Sequence, residues 1–310
     1  MNLQHRHSKL RNFATAIVVL LLTMVATVPL QALESSTAVR AEMLVSTDWL
    51  AKHLQDPKLI VVCIADDESF YSSGHIPGAR MIAVSQIVTT RDGIPNELRS
   101  LDALQHVFEM IGVSNDSRVI LYGERSGLLA ARAYFTLDYL GLGDRAALLD
   151  GGMEKWRAER RPESTAAPAI RAGKLSIRAH PEIVVSRDQM SAYSRAPGSG
   201  AVLMDSRPRA EYTGEKFSED VLKRGHLPNA VGLYWRDLLR DDSSELKSAP
   251  DLEKQFQQVG ATPGQEVVTY CRTGMQSSFS YFVAKYLGFK PKMYDGSFYE
   301  WSRSSLPIEP

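Results

Sequence analysis

The sequence predicts an α/β protein built from two similar domains, each a small, mainly parallel sheet flanked by helices. Two observations carry this prediction: an internal repeat, and a regular alternation of strand-length apolar runs with helical segments. The chain has 310 residues, of which 44% are hydrophobic, so it is long enough for two domains with their own cores.

The repeat is clearest in two short motifs. GHIPGA at residues 74–79 returns as GHLPNA at 225–230, and DGGMEKW at 150–156 returns as DGSFYEW at 295–301. The spacing between the two motifs is similar in both halves. A long repeat that keeps its spacing indicates a duplicated structural unit.

The repeat also sets the predicted domain limits. We expect a first domain over residues 43–160 and a second over 183–310. The segment between them, 161–182, is rich in Pro, Ala, Arg and Ser and has no sustained apolar period. We therefore interpret it as a linker.

The predicted elements of the two halves correspond. Each half begins with a strand end that leads into a helix N-cap, at 45–48 and 185–188. The strand-length runs are residues 59–64, 119–122, 201–205 and 267–270. The run over 119–122 precedes a predicted helix over 128–140, and the run over 267–270 precedes one over 277–287. Both helices end before a glycine.

Composition excludes several classes of protein. Lys and Arg together number 36 and so do Asp and Glu, so the chain has no basic surplus and we expect no nucleic acid as partner. Only Cys63 and Cys271 are cysteines, too few for a disulfide scaffold or a four-ligand zinc site.

Residues 1–38 are predicted to be a targeting segment. An apolar stretch over 13–30 follows a basic start and precedes small residues, as in a secretory signal peptide. The basic and small residues are His5, Arg6, Lys9, Arg11, Ala32 and Ala38. An uncleaved N-terminal anchor is the alternative, and it is the one case in which we expect a membrane contact. Either way we expect an exported protein, periplasmic or extracellular.

One loop differs in kind between the two copies. The second copy reads VVTYCRTGMQSS over 267–278, where the first reads VILYGERSGLLA over 119–130. Cys271 follows a predicted strand and precedes a predicted helix. Its counterpart in the first copy is either Gly123 or Glu124, depending on where one extra residue is placed.

The position of Cys271 suits a nucleophile. A loop between strand and helix directs backbone N–H groups to its centre, which favours an anion there and so favours a thiolate. Arg272 adds positive charge, and Gly274 can adopt a positive φ. Thr273 and Ser277 add hydroxyl donors. The sequence therefore predicts a reactive sulfur in an anion-binding loop.

These residues resemble the rhodanese family. The CRTGMQ loop, with GH[IL]P upstream and DG…W downstream, is similar to tandem-domain thiosulfate and 3-mercaptopyruvate sulfurtransferases with the cysteine in the second copy. The resemblance implies that Cys271 takes sulfur from a donor as a persulfide and passes it to a thiophilic acceptor, without metal or organic cofactor. It assigns binding of the donor anion to Arg272, Thr273, Gly274, Met275 and Gln276.

A second segment carries the same resemblance. Asp205-Ser206-Arg207 is similar to the stretch in which a family arginine reaches the donor, so Arg207 is a further candidate for donor binding. Asp205 is expected to support it, as Ser277 supports the cysteine. We match this segment to Ala65-Asp66-Asp67 in the first copy, which has no arginine. The first domain is therefore predicted to be inactive.

The donor and acceptor stay open at this stage. Thiosulfate-preferring members carry CRKG and mercaptopyruvate-preferring members CGSG, while this chain has CRTG; we favour thiosulfate because Arg272 suits a dianion. The expected acceptor is cyanide or a thiol. Cys63, in an apolar run, and His75 and His226, in the repeated turn, are interpreted as structural.

Three other functions compete. A related phosphatase would need an arginine where this chain has Ser277. A thiol–disulfide oxidoreductase would need a CxxC pair. A non-enzymatic sulfur carrier or partner-binding protein of the same fold is the alternative that we keep.

Overall fold

The computed structural model describes residues 39–196, 198 and 200–310. In the first half, five parallel strands form one sheet in the order β1-β7-β6-β2-β3. These strands are β1 (Leu44–Val45), β2 (Leu59–Ala65), β3 (Arg80–Ala83), β6 (Arg118–Gly123) and β7 (Ala146–Leu149). A separate antiparallel hairpin consists of β4 (Val88–Arg91) and β5 (Ile94–Leu98). The helices are α1 (Thr47–His53), α2 (Glu68–Ser72), α3 (Leu101–Met110), α4 (Leu128–Tyr139) and α5 (Gly152–Ala158).

The second half repeats this arrangement. Its sheet is also five-stranded and parallel, in the order β10-β9-β11-β12-β8, which is the first order read from the other edge. The strands are β8 (Val184–Val185), β9 (Ala201–Asp205), β10 (Ala230–Gly232), β11 (Glu266–Tyr270) and β12 (Lys290–Tyr294). The helices are α6 (Arg187–Arg195), α7 (Arg209–Tyr212), α8 (Ala249–Gln258), α9 (Met275–Tyr286) and α10 (Ser297–Ser302). The predicted fold class, two α/β domains with mainly parallel sheets, is confirmed.

Local sequence signals explain several boundaries. The Ser46 hydroxyl accepts a hydrogen bond from the Trp49 N–H and so caps α1, and Ser186 caps α6 in the same way. The predicted helix over 277–287 begins two residues earlier, at Met275. It does so because Gly274, with φ of 80°, turns the chain directly from the loop into the first helical turn.

Each sheet is buried on both faces, as parallel sheets require. Along β2, Ile60, Val62 and Ile64 face a central core, whereas Val61 and Cys63 face an outer one. The central core contains residues of both domains. The outer cores contain Trp156 in the first domain and Trp301 in the second, both fully buried.

Helices α4 and α9 pack against each other at the centre of the molecule. Tyr134 contacts Phe282, and Phe135 contacts Tyr281, each pair edge to face with ring centroids 4.9 Å apart. The two domains therefore share one apolar core.

The segment between the domains has no helix or strand from residue 159 to residue 180, apart from an isolated bridge between Ser164 and His75. Leu175 of this segment is buried. The exact limits of the linker stay a prediction.

The predicted targeting segment, residues 1–38, lies outside the described residues. In the part of the chain that is described, every helix is too short or too polar to cross a bilayer.

Candidate active site

The predicted site residues meet at the carboxyl edge of the second sheet. Strands β9 and β11 are parallel neighbours, with Asp205 opposite Tyr270. The chain leaves both strands at this edge, and the Ser206 N–H donates to the Tyr270 carbonyl at 2.9 Å. Cys271 is the next residue after β11, so the two candidate segments lie side by side, as ligand sites of parallel sheets do.

Cys271 is a free thiol that is 1% exposed. It occupies the turn from β11 into α9. The buried Ser277 hydroxyl donates toward the Cys271 sulfur at 3.5 Å. Ser277 therefore lies beside the sulfur, and its supporting role stays a prediction.

The other thiol has a different environment. Cys63 is fully buried in β2, and burial raises its pKa to about 12, although a hydrogen bond with Tyr122 acts in the opposite direction. Cys63 therefore stays protonated near neutral pH, as expected of a structural cysteine.

The start of α9 leaves a backbone donor free. In α4, the Leu128 N–H bonds the Arg125 carbonyl, and the Ala131 N–H bonds the Gly127 carbonyl. Among the residues that the structure describes, no acceptor faces the equivalent N–H group of Met275, whereas the Ser278 N–H belongs to the first turn of the helix. Unpaired N–H groups at a helix start bind anions.

The Gly274 carbonyl has a side-chain partner. It accepts from the Ser278 hydroxyl at 2.7 Å. The Met275 N–H, directly after the loop over 271–274, thus stays available to a bound group.

The Ser297 side chain holds the cysteine loop through hydrogen bonds. Its hydroxyl oxygen accepts from the Cys271 N–H at 3.2 Å and from the Gly274 N–H at 3.1 Å. It also donates to the Tyr294 carbonyl at 2.8 Å. These bonds fix both ends of the loop on one side chain.

Ser297 is not among the residues predicted for the site, although the sequence contains a signal for it. The first copy has Gly152 at the equivalent place in DGG, and both residues have φ of 54°, a conformation that favours glycine. Serine is unfavourable in this left-handed conformation, and it replaces glycine only in the copy that contains the cysteine. This indicates that the Ser297 side chain has a function there.

We predict that Ser297→Gly lowers kcat/KM by about tenfold, because two buried N–H groups lose their acceptor, at about 1–3 kcal/mol for each group. Glycine keeps the backbone conformation, so the substitution removes the hydroxyl without adding strain. Ser302→Ala, in the same helix, removes a buried hydroxyl that does not touch the loop and serves as the control. Equal activity of the two variants in steady-state assays would contradict this role.

Arg272 extends from the loop to α7. Its guanidinium donates to Glu211 at 2.6 Å, and its Nε is buried without a partner among the described residues. The side chain is about one-third exposed. The positive charge therefore lies at the rim of the site, held in place by an acid.

Three further predicted residues line the loop. The Thr273 hydroxyl accepts from the Asn96 amide, which belongs to the first domain, at 3.0 Å. Met275 and Gln276 form the first turn of α9, and the Gln276 side-chain oxygen is buried without a partner in the described part of the chain.

Arg207 is buried among structural partners. Its guanidinium makes a two-point pair with Asp205, donates to the Gly225 carbonyl at 2.8 Å and stacks over the Phe298 ring at 3.9 Å. Burial disfavours its charge, but Asp205 outweighs that effect and raises the pKa of Arg207. These contacts give Arg207 and Asp205 a structural task, and contact of Arg207 with a donor stays a prediction.

The match of Asp205 to Ala65 in the repeat was wrong. Tyr122 and Tyr270 are equivalent, because the hydroxyl of each accepts from the repeated GH[IL]P turn. Opposite them lie Cys63 and Asp205. Cys63 is therefore the counterpart of Asp205, and β2 continues two residues further than β9.

The same register settles the counterpart of Cys271. Gly123 follows Tyr122 as Cys271 follows Tyr270, so the extra residue of the first copy lies within its loop. The segment that matches Asp205–Arg207 is 63–65, which also lacks an arginine.

A carboxylate lies close to the site on the side of the first domain. Burial raises the pKa of Glu97 to about 7, and the charge of Asp295 adds to the effect, while Arg91 and Arg132 oppose it. Because the folded state binds the Glu97 proton more tightly than the unfolded chain does, this proton stabilises the fold. The stabilisation is complete below the ordinary pKa of a glutamate and is lost as the pH rises through about 7.

We predict that Glu97→Gln is more stable than the parent above pH 7, by about 1 kcal/mol after screening by solvent. The difference should disappear below pH ~4.5, where both side chains are neutral. Urea unfolding at pH 4 and pH 8 measures it. A gain of the same size at both pH values would show that charge is not the cause.

The fold and this loop define a class of protein: a two-domain α/β protein with a free cysteine where a strand of its second domain turns into a helix. The family model of the rhodanese-like domain matches this sequence twice, over residues 46–159 and 189–304. The chain therefore belongs to the rhodanese-like family, as a tandem-domain sulfurtransferase.

Individual relatives agree with this assignment. The chain is 36% identical to the sulfur carrier protein TtuD of Thermus thermophilus, over 84% of this chain and 93% of the relative. It is 32% identical to a thiosulfate sulfurtransferase of Azotobacter vinelandii, over 84% and 94%. The structure of the 3-mercaptopyruvate sulfotransferase SseA of Escherichia coli aligns with a TM-score of 0.72 at 25% identity, over 82% and 98%.

Proposed function

We propose that this protein transfers sulfane sulfur from thiosulfate, or from 3-mercaptopyruvate, to a thiophilic acceptor through a persulfide on Cys271. One observation carries the proposal most directly. The Met275 N–H, at the start of the helix that follows Cys271, has no acceptor among the described residues, whereas the equivalent Leu128 N–H of the first domain bonds the Arg125 carbonyl. The second loop is therefore suited to a bound anion beside a sulfur nucleophile.

The proposed first step is attack of the Cys271 thiolate on the outer sulfur of the donor. A new S–S bond forms, and the old bond to that sulfur breaks. With thiosulfate, sulfite leaves with the electron pair of the broken bond. With 3-mercaptopyruvate, the C–S bond breaks, and the carbon keeps the electron pair as the enolate of pyruvate, which then takes a proton. The loop N–H groups and Arg272 would stabilise the negative charge that gathers on the outer sulfur and the leaving group.

The second step returns the enzyme to its starting state. A nucleophilic acceptor, such as cyanide or a thiolate, attacks the outer persulfide sulfur. The Cys271 sulfur then leaves as the thiolate. No net oxidation or reduction by an external partner is needed, so the cycle is a two-step transfer with one loaded intermediate.

The donor is the finer part of the proposal. Arg272 lies at the rim with one-third of its side chain exposed, which supports a dianion such as thiosulfate. A relative named as thiosulfate sulfurtransferase points the same way, and SseA points to 3-mercaptopyruvate. Both donors therefore belong in the first test.

Intact mass spectrometry tests the proposal. The purified protein is incubated with thiosulfate, with 3-mercaptopyruvate or with neither, and we expect a gain of one sulfur atom, about 32 Da. Cyanide should remove the gain, and Cys271→Ser should not show it. If neither donor adds mass while Cys271 still reacts with iodoacetamide, the proposed reaction is wrong even though the thiol is accessible.

A sulfur carrier is the second candidate, and the relation to TtuD favours it. A carrier also forms the persulfide, but it delivers the sulfur to a partner protein and does not turn over rapidly with small acceptors. Steady-state assays with cyanide and with dithiothreitol separate the two. Loading without turnover would favour the carrier.

We also propose that the protein is exported, to the periplasm or beyond. The basic start and the apolar stretch over residues 13–30 support this. Fractionation of cells that express the full chain, with mass analysis of the N-terminus, tests it. A cytoplasmic protein with an intact N-terminus would overturn the proposal.

A further inference from the structure

The first domain reaches into the site through a fully buried arginine. Arg132, on α4, donates from Nη1 to Asp295 Oδ1 at 2.6 Å and from Nη2 to Asp295 Oδ2 at 3.2 Å. Asp295 belongs to the DGS motif, two residues before the Ser297 that holds the cysteine loop. A two-point guanidinium–carboxylate pair of this kind fixes orientation as well as charge.

Arg132 also contacts the cysteine loop itself. Its Nη1 lies 3.4 Å from the Gly274 carbonyl oxygen, and its Nη2 donates to the Asn96 carbonyl at 2.6 Å. Gly274 is the residue from which α9 begins. The arginine therefore connects the loop, the DGS motif and the β4–β5 hairpin of the first domain.

The hairpin adds two bonds of its own. The Leu98 N–H donates to Asp295 Oδ2 at 2.9 Å, and the Asn96 side chain donates to the Thr273 hydroxyl. The carboxylate of Asp295 is thus satisfied almost entirely by the first domain.

The repeat provides an internal comparison. In the opposite direction, the Leu246 N–H of the second domain donates to Asp150 of the first at 2.9 Å, as Leu98 does to Asp295. The arginine, however, has no equivalent, because the position of Arg132 in α4 corresponds to Phe279 in α9. Phe279 lies against the Gly127 loop of the first domain.

The two loops are therefore supported differently. The Phe279 ring lies against the loop that has no cysteine, whereas the Arg132 guanidinium contacts the loop that contains Cys271. A duplication alone would give the same residue at both positions. Arginine contacts only the loop that contains Cys271, so the difference between the two positions matches the difference between the two loops.

We propose that Arg132 is a positioning residue for sulfur transfer, so that the first domain, which lacks a cysteine in its own loop, completes the site of the second. The proposal rests on the proposed function. By holding Asp295 and the Gly274 carbonyl, Arg132 keeps the start of α9 in the arrangement that leaves the Met275 N–H without an internal acceptor. Without it, the Asp295 carboxylate would stay buried beside the loop with the Leu98 N–H as partner but with no positive charge to balance it.

The test compares Arg132→Met with Asp138→Asn. Asp138 lies on the same helix, about 9 Å further along, and pairs across the same interface with Lys285 at 2.5 Å and Tyr281 at 2.6 Å. Both substitutions break a buried pair between the domains. Only the first one touches the cysteine loop.

We expect Arg132→Met to lower kcat by about tenfold or more with a smaller change in KM, because small displacements of reacting groups are costly. We also expect slower alkylation of Cys271 by iodoacetamide at pH 7.5. Asp138→Asn should lower the melting temperature but leave both rates near those of the parent. Arg132→Lys should recover part of kcat, because it keeps the charge but not the fork.

The measurements separate this proposal from the proposed function. Alkylation needs no sulfur donor, so it reports on the loop even if no sulfur is transferred. Equal effects of Arg132→Met and Asp138→Asn on alkylation and kcat would overturn the positioning role. If Arg132→Met does not fold, the comparison of Arg132→Lys with Asp138→Asn decides in the same way.

Discussion

Replacing Cys271 with serine is expected to abolish persulfide formation and to lower sulfur transfer by at least about a thousandfold. Serine has nearly the same size, but its hydroxyl does not ionise near neutral pH and does not carry sulfur. The bonds of residue 271 to its surroundings are mainly backbone bonds, to Ser297 and from Phe298. The fold should therefore be unchanged, as circular dichroism and melting temperature would show.

The second thiol is the control for this experiment. Cys63→Ala should retain sulfur transfer, because the Cys63 thiol is buried in the first domain and stays protonated. It should also lose some stability through the small cavity that it leaves. Substantial turnover by Cys271→Ser, or loss of turnover by Cys63→Ala with an intact fold, would contradict the assignment of the nucleophile.

Replacing Gly274 with alanine is expected to lower activity by about a hundredfold and to cost about 2 kcal/mol in the free energy of unfolding. A methyl group there would lie 2.6 Å from the Asp295 carboxylate and 3.2 Å from the Arg132 guanidinium. The residue also has φ of 80°, which alanine adopts only with strain. The loop would have to move, and with it the sulfur.

Gly260→Ala separates strain from crowding. Gly260 has φ of 84°, but a methyl group there would meet no neighbour within 4 Å. It should cost about 1 kcal/mol and leave activity unchanged. Similar activities of the two variants would show that the close approach of Asp295 to Gly274 is not important for the reaction.

The sequence was sufficient for the architecture because the fold is repeated. The GH[IL]P and DG…W motifs indicated a duplication, and strands that alternate with helices then implied parallel sheets. The reactive loop was also visible, since Cys271 interrupts an otherwise similar pair of segments. These features are local, and local patterns can be read along a chain.

Contacts across the interface could not be read in this way. Arg132 and Asn96 are distant in sequence from the loop that they touch, and nothing near them indicates that contact. The Asp205 match failed for a related reason, because the extra length of β2 shifts the acidic residues past the strand end. For Arg207, the motif predicted an arginine near the site. Only the folded structure shows that its guanidinium pairs with Asp205.

The shared core of α4 and α9 has a consequence for how the molecule melts. Because the Tyr134–Phe282 and Phe135–Tyr281 contacts join the two halves, neither half keeps its apolar surface covered after separation. Scanning calorimetry should therefore show a single endotherm, with equal van't Hoff and calorimetric enthalpies, for the full chain.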